Sequence, residues 1–171
     1  MFDPTHFENL KVAFENHLYD LDNLDGRITI VHRSDRTDYA VLSRELSVFF
    51  QLAGQPDVTA EVMLAASLED LAGEILEFSS AVHGCSLILR FYKRVVDPSI
   101  QCPQIEQALG RIWEADVHVK QKLSFVYGEE AEGYMNKIEL QFKTKISEDN
   151  MGEIAPFLEH VLHTLDVLID I

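Results

Sequence analysis

The apolar residues of this chain follow the period of a helix in some segments and the alternation of a strand in others. Residues 4–21 carry large apolar side chains three to four positions apart, which predicts an amphipathic helix. Residues 27–33 and 86–96 are instead rich in β-branched and aromatic side chains, which favour strands. Because both periods occur in one chain, the fold must combine helices with a sheet.

The same patterns continue along the chain and give an order of elements. Further strands are predicted at residues 40–52, 114–127 and 134–146, and further helices at residues 68–80, 103–111 and 150–169. The stretch 58–66 alternates like a strand, but its alanines also suit a helix that continues into the next segment. We favour a strand there.

The fold class predicted from this order is α+β, with a mainly antiparallel, curved sheet and helices packed on one of its faces. A length of 171 residues fits a single domain over residues 1–171. It is also enough to bury a core without disulfides or a metal. The other face of the sheet is then either exposed or covered by a partner.

A short sequence pattern occurs twice. Residues 69–78 and 148–157 both read EDxxGEIxxF, and each opens a predicted helix that follows a predicted hairpin. If the match reflects duplication, the chain consists of two related halves, residues 27–82 and 85–171, each with three strands and a helix. The match is short enough to arise by chance, and aligning the helices puts the preceding strands out of alternation by one residue.

The chain is strongly acidic. It has 14 Lys and Arg residues against 29 Asp and Glu, a net charge of −15. Because nucleic acids and anionic membranes are bound through Lys and Arg, neither is an expected partner. No apolar run approaches the roughly 18 residues of a spanning helix, and the N-terminus lacks a basic signal region. We therefore expect a soluble, cytoplasmic protein whose two cysteines are reduced.

Lysines are concentrated on one face of the hairpin predicted at residues 114–146. They are Lys120, Lys122, Lys137, Lys143 and Lys145. In an acidic protein such a face is either a surface for anions or an acidic partner, or a solvated face whose lysines protect the sheet from aggregation.

A second polar cluster lies at the end of the predicted strand 27–33 and in the loop that connects it to the next strand. Its basic members are His32, Arg33 and Arg36, and they would meet the basic residues of strand 86–96 if the two strands are neighbours. Those residues are Arg90, Lys93 and Arg94. The group would then form a small anion pocket, and a charged turn is the alternative.

Few residue pairs could support catalysis or metal binding. His83 and Cys85 are close in sequence, but a nucleophilic cysteine needs a base oriented in space and a lowered pKa. His160 and His163 lie on the polar side of the last predicted helix, without a third zinc ligand in reach by sequence. Nucleotide-binding, hydrolase and metalloprotease motifs are absent, so no catalytic residue, metal or cofactor is predicted.

The last predicted helix, residues 150–169, is apolar over more than one stripe. The surplus indicates a buried helix or an oligomer interface, and we expect a homodimer that uses this helix. The residues expected at the interface are Leu158, Leu162, Leu165, Val167 and Ile169.

The leading functional hypothesis is a non-enzymatic protein-interaction module that binds itself or another protein. Its size, acidity and order of helix, strands, helix, strands, helix are similar to those of secretion chaperones. That resemblance implies a chaperone-like role without assigning any residue to it. The alternatives are a small-anion binding domain and an enzyme with a cryptic site near His32, His83 and Cys85.

Overall fold

The computed structural model describes residues 5–76, 84–114 and 117–171. Its helices are α1 (Thr5–Asn23), α2 (Leu68–Leu76), α3 (Pro98–Ile112) and α4 (Ile154–Asp170). Its strands are β1 (Ile28–Asp38), β2 (Ser43–Leu52), β3 (Gln55–Ala66), β4 (Ser86–Val95), β5 (Val117–Ser124) and β6 (Tyr134–Phe142). Short 3₁₀ helices at Glu130–Glu132 and Glu148–Glu153 precede β6 and α4.

All the strands belong to one antiparallel sheet with the order β1-β2-β3-β4-β6-β5. The strands β1 to β4 lie side by side in chain order. The chain then passes from β4 through α3 to the edge strand β5 and returns along β6, which pairs with β4. The predicted α+β class and antiparallel sheet are confirmed.

Alternate side chains of neighbouring strands form the floor of the apolar core. Phe50 of β2, Ala60 of β3, Phe91 of β4 and Ile138 of β6 are cross-strand neighbours in one row, and each is 0% exposed. Complete burial of a large apolar side chain contributes roughly 1.5–3 kcal/mol. The row therefore ties strands from both ends of the chain into one core.

Helix α1 covers one part of this floor with the face that its spacing predicted. Its buried residues are Phe7, Leu10, Phe14, Leu18 and Leu21. They belong to the same apolar cluster as the buried residues of the strands, α3 and α4.

Helix α4 lies beside α1 and α3 and contacts β2 and β3. Leu158, Leu162 and Leu165 are at most 4% exposed and belong to the chain's own core. Val167 and Ile169 are partly buried. The leucines of the expected dimer helix therefore pack within the chain and form no free surface, whereas the homodimer itself stays a prediction.

The edge strand β1 is longer than predicted. Residues 34–38 pair with residues 43–47 of β2, so the prediction of a charged loop here is wrong. A register shift between Ile30 and His32 marks a β-bulge. Beyond the bulge, the charged side chains that face the helices form ion pairs with α1. These pairs explain why the strand can contain so many charged residues.

Other helix and strand boundaries differ from the predicted ones. The stretch 58–66 is a strand, as favoured, and lies within β3. Helix α3 begins at Pro98 instead of 103, because the Asp97 side chain accepts a hydrogen bond from the backbone N–H of Ser99 at 3.0 Å and caps the helix. The strands predicted to reach residues 127 and 146 end at Ser124 and Phe142.

The two halves of the proposed duplication share most of their element order but not their strand order. The first half has the order β1-β2-β3, whereas the second has β4-β6-β5 with α3 inserted. Part of the first EDxxGEIxxF segment lies outside the described residues. The duplication stays a prediction. Of the helices in the described part of the chain, none has the length and apolar character needed to span a membrane.

Candidate functional site

The side of the sheet that faces away from the core, here called the open face, is the main candidate site. The apolar core unites buried residues of all the described helices with only one face of the strands. Strand alternation therefore turns every second strand residue toward the opposite side. Within residues 5–76, 84–114 and 117–171, no helix contributes to a core on that side.

One row of side chains crosses the open face from edge to edge. It runs through cross-strand neighbours in all the strands and is called the central row. Its members in sheet order are His32, Phe49, Glu61, Arg90, Glu139 and Lys120. Over its last four positions the charges alternate in sign, so each cross-strand pair is attractive.

Glu61, near the middle of the row, is only 3% exposed. Its Oε1 accepts from the Ser47 hydroxyl at 2.9 Å, and its Oε2 accepts from the Tyr92 hydroxyl at 2.6 Å. Arg90 Nη1 donates to both oxygens at 3.3 Å. A carboxylate can be buried on this face because donors on β2 and β4 replace the water that it loses.

Arg90 joins Glu61 to a second carboxylate. Its Nε donates to Glu139 Oε2 at 2.7 Å, and Gln141 donates to Glu139 Oε1 at 2.6 Å. Burial acts to raise the pKa of Glu139, but the hydrogen bonds from Arg90 and Gln141 and the Arg90 charge outweigh it and lower the pKa. Burial also raises the pKa of Tyr92, and the neighbouring Glu61 carboxylate adds to that shift. These protonation states keep the network intact at neutral pH.

An aromatic strip accompanies the network. The rings of His32 and Phe49 are 5.4 Å apart and those of Phe49 and Tyr92 are 6.1 Å apart, measured between centroids. Beside the strip lies a shallow depression of about 380 Å³, whose wall includes Arg36 and Met63. The open face therefore combines fixed charges with apolar contact area.

The predicted basic cluster is divided by the sheet. The strands β1 and β4 are separated by β2 and β3, so the condition on which the anion pocket depended is not met. His32, Arg36 and Arg90 nevertheless line the same depression. Its two arginines are paired, since Arg36 contacts Glu45 and Arg90 contacts Glu61.

The remaining basic residues of that cluster lie outside this depression. Arg33 turns to the helix side, where its Nε donates to Glu15 at 2.7 Å. Lys93 is 7% exposed beside the core, and burial lowers its pKa. Arg94 Nη1 donates to the backbone oxygen of Glu132 at 3.1 Å.

The predicted lysine face is also divided. Lys120, Lys122 and Lys137 lie on the open face, and Lys122 is directly opposite Lys137 across β5 and β6. Lys143 and Lys145 follow the end of β6. Lys145 pairs with Asp70 of α2.

A separate ion cluster fastens α1 to the edge of the sheet. Lys11 Nζ lies 2.6 Å from Asp35, and Arg44 Nη1 lies 2.7 Å from Glu8. Burial acts to raise the pKa of Asp35, but the bonded Lys11 and the nearby Arg44 outweigh it and lower the pKa. This cluster links helix and strand and leaves no free charge for a ligand.

The described residues that were considered for catalysis or metal binding show no activated group. Cys85 is 2% exposed, and burial raises its pKa to about 12, so its thiolate is scarce at neutral pH. His83 lies outside the described residues. His160 Nδ1 lies 3.0 Å from the Pro156 carbonyl, and no group of three metal-ligating side chains occurs in the described part of the chain.

Sequence reasoning missed the acceptors and aromatic residues of the open face. Glu61, Glu139, Ser47, Phe49 and Tyr92 were not among the predicted site residues. One signal was available, because Glu61 is a lone carboxylate within the apolar stretch VTAEVMLAA. A charge inside a strand that is otherwise buried needs a partner, and that rule singles out the position.

No family model, curated protein or solved structure matches this chain. Its fold and candidate site define it as an α+β protein with helices on one face of an antiparallel sheet and an ordered polar network on the other.

Proposed function

We propose that this protein is a non-enzymatic protein-interaction domain that binds its partner with the open face of the sheet. The observation that carries the proposal is the Glu61–Arg90–Glu139 network on a sheet face that no described helix covers. Hydrogen bonds at 2.7 to 3.3 Å hold these side chains in place before any partner arrives. Such order reduces the entropy that binding would otherwise cost.

The composition of the open face supports the same function. Arg90, Tyr92, Phe49 and Met63 lie close together there. Aromatic residues, Met and Arg are the types enriched in protein interfaces. Arg and Tyr are also frequent among the residues that dominate binding energy.

Two features favour binding over catalysis. The Glu61 carboxylate accepts hydrogen bonds from Ser47, Arg90 and Tyr92, so its lone pairs are occupied and it is a poor general base. Cys85, with a pKa of about 12, is a poor nucleophile.

A small-anion binding domain is less favoured by the geometry. The carboxylates of Glu45 and Glu61 line the same depression as Arg36 and Arg90 and neutralise them. A phosphate placed there would meet carboxylates as well as guanidinium groups. Thermal-shift measurements with inorganic phosphate should therefore show no stabilisation.

The partner in this proposal is another protein, as in the chaperone-like variant, or a second copy of the chain. Light scattering distinguishes them, since a homodimer has twice the 19.5 kDa mass of the chain. A monomeric mass at micromolar concentration would exclude the second copy and leave the partner protein.

Affinity purification from cells that express the protein tests the proposal. Phe49→Ala removes an aromatic ring of the open face, whereas the matched variant Val12→Ala shortens an exposed apolar residue on α1. A partner recovered with wild type and Val12→Ala should be lost with Phe49→Ala. Phe49→Ala should weaken the binding free energy by about 2 kcal/mol, or roughly thirtyfold in affinity. Equal recovery with both variants would contradict the proposal.

A further inference from the structure

The lysines at the β5–β6 end of the open face differ from the two arginines that line its depression. Arg90 is paired with Glu61 and Glu139, and Arg36 is paired with Glu45. Lys120, Lys122 and Lys137, here called the lysine patch, form no direct ion pair within the described part of the chain, although Lys120 lies opposite Glu139 and the Lys137 charge helps to lower the pKa of Glu139.

The patch contains a repulsive contact. Lys122 and Lys137 face each other directly across the antiparallel pair. Directly opposed like charges destabilise a sheet. A carboxylate between the two ammonium groups would turn this repulsion into two attractive contacts.

The patch lies next to apolar contact area. Tyr92 is the neighbour of Lys137 on the other side of β6, and Met135 is two residues before Lys137 on the same strand. The connection after β5 exposes Tyr127, which is 94% accessible. A partner segment could therefore place carboxylates on the lysines and an apolar side chain beside them.

We infer that the lysine patch binds an acidic segment of a partner protein that carries aromatic or aliphatic residues among its carboxylates. This inference rests on the proposed function, and it adds the chemistry of the partner. The net charge of −15 opposes the approach of an acidic segment. That repulsion is screened beyond about 8 Å at physiological salt, whereas contacts at the patch are much shorter.

Selection from a random-peptide phage library against the full-length protein tests the inference. Selected peptides should be enriched in Asp and Glu combined with aromatic or aliphatic residues. Their affinity should fall at least about tenfold in Lys122→Gln and in Lys137→Gln, the loss of about one contact ion pair.

The control removes the same charge from the other side of the sheet. Arg111→Gln changes an exposed residue of α3, and peptide affinity should stay within about twofold of wild type. Lys122→Arg should retain binding, because the charge is kept. Thermal unfolding of Lys122→Gln should occur no lower than in wild type, since the substitution removes repulsion.

The remaining outcomes separate this inference from the proposed function. If the selected peptides lack an excess of acidic residues, bind wild type and lose affinity in Phe49→Ala, the inference that the partner segment is acidic would be overturned. That result would still support the open face as a binding surface. If acidic peptides lose as much affinity in Arg111→Gln as in the lysine variants, their binding depends on the overall charge of the protein. That result would overturn the assignment of the binding site to the lysine patch. Selected peptides whose affinity is unchanged by every open-face substitution would contradict both this inference and the proposed function.

Discussion

Glu61 is a carboxylate that is almost entirely removed from water although it belongs to the uncovered face of the sheet. Its burial is tolerated because Ser47, Tyr92 and Arg90 donate to it. The sequence showed an isolated acid in an apolar stretch. Its partners are 14 to 31 residues away along the chain, so they could be found only from the register of three strands.

Removal of this carboxylate should destabilise the protein. In Glu61→Ala the Tyr92 hydroxyl and Arg90 Nη1 lose their buried acceptor, so we expect a loss of about 2–4 kcal/mol in urea unfolding. Glu45→Ala is the control, because it breaks the more exposed pair with Arg36 and should cost less than about 1 kcal/mol. Equal losses in the two variants would contradict the role given to Glu61.

Cys85 should be almost inert toward alkylating reagents. Its pKa of about 12, against 9.0 for an ordinary thiol, makes its thiolate about a thousandfold scarcer at neutral pH, and burial limits access as well. The rate can be measured in Cys102→Ser, where Cys85 is the only thiol left. A native rate equal to the rate in urea would show an accessible thiol and reopen the case for an enzyme.

At the scale of the elements, the periodic segments were predicted well and the charged ones were not. Helix α1 and strand β3 follow clear apolar patterns. The polar side chains of residues 34–38 indicate a loop, yet these residues form an edge strand whose charges pair with α1. Local sequence could not show that pairing, since it depends on where α1 packs.

The pair between α1 and β1 should make stability dependent on acid. The folded state lowers the pKa of Asp35 below its ordinary 3.8, so the folded protein binds the proton less readily than the unfolded chain. The stabilisation is therefore complete above about pH 5 and is lost as the pH falls through the lowered pKa. In Asp35→Asn, the free energy of unfolding, measured with urea at several pH values, should fall less steeply with acid. Asp170→Asn, at an exposed residue near the end of α4, should not show this change.

The β5–β6 hairpin offers two substitutions with opposite expected signs. Lys122→Glu replaces repulsion with Lys137 by attraction and should stabilise the protein by about 0.2–1 kcal/mol. Lys120→Glu places a carboxylate opposite Glu139 and should destabilise it by a similar amount. Both variants change the net charge equally, so shifts of the same sign in thermal unfolding would contradict the register of the hairpin.

At the scale of the whole molecule, the class of the fold was predictable and the arrangement was not. The order of helices and strands indicated α+β with helices on one face, and that is confirmed. The placement of β6 between β4 and β5 depends on competition between strands far apart in sequence. The apolar surplus of α4 suggested an interface, whereas Leu158 and Leu165 pack into the chain's own core.

The lysine face shows how the whole fold redistributes a sequence pattern. Five lysines at alternate positions suggested one surface. Because β6 ends at Phe142, Lys143 and Lys145 follow the strand, and Lys145 pairs with α2. The other three lie at one end of the open face, beside a network that the sequence alone did not indicate.

Site-specific photocrosslinking in cells tests the use of the open face most directly. A photoreactive phenylalanine analogue would replace His118, exposed on the open face, or His163, exposed on α4 on the opposite side of the molecule. The account predicts a discrete crosslinked protein from position 118 and none from position 163. A crosslinked partner from position 163 alone, or equal crosslinking from both positions, would contradict it.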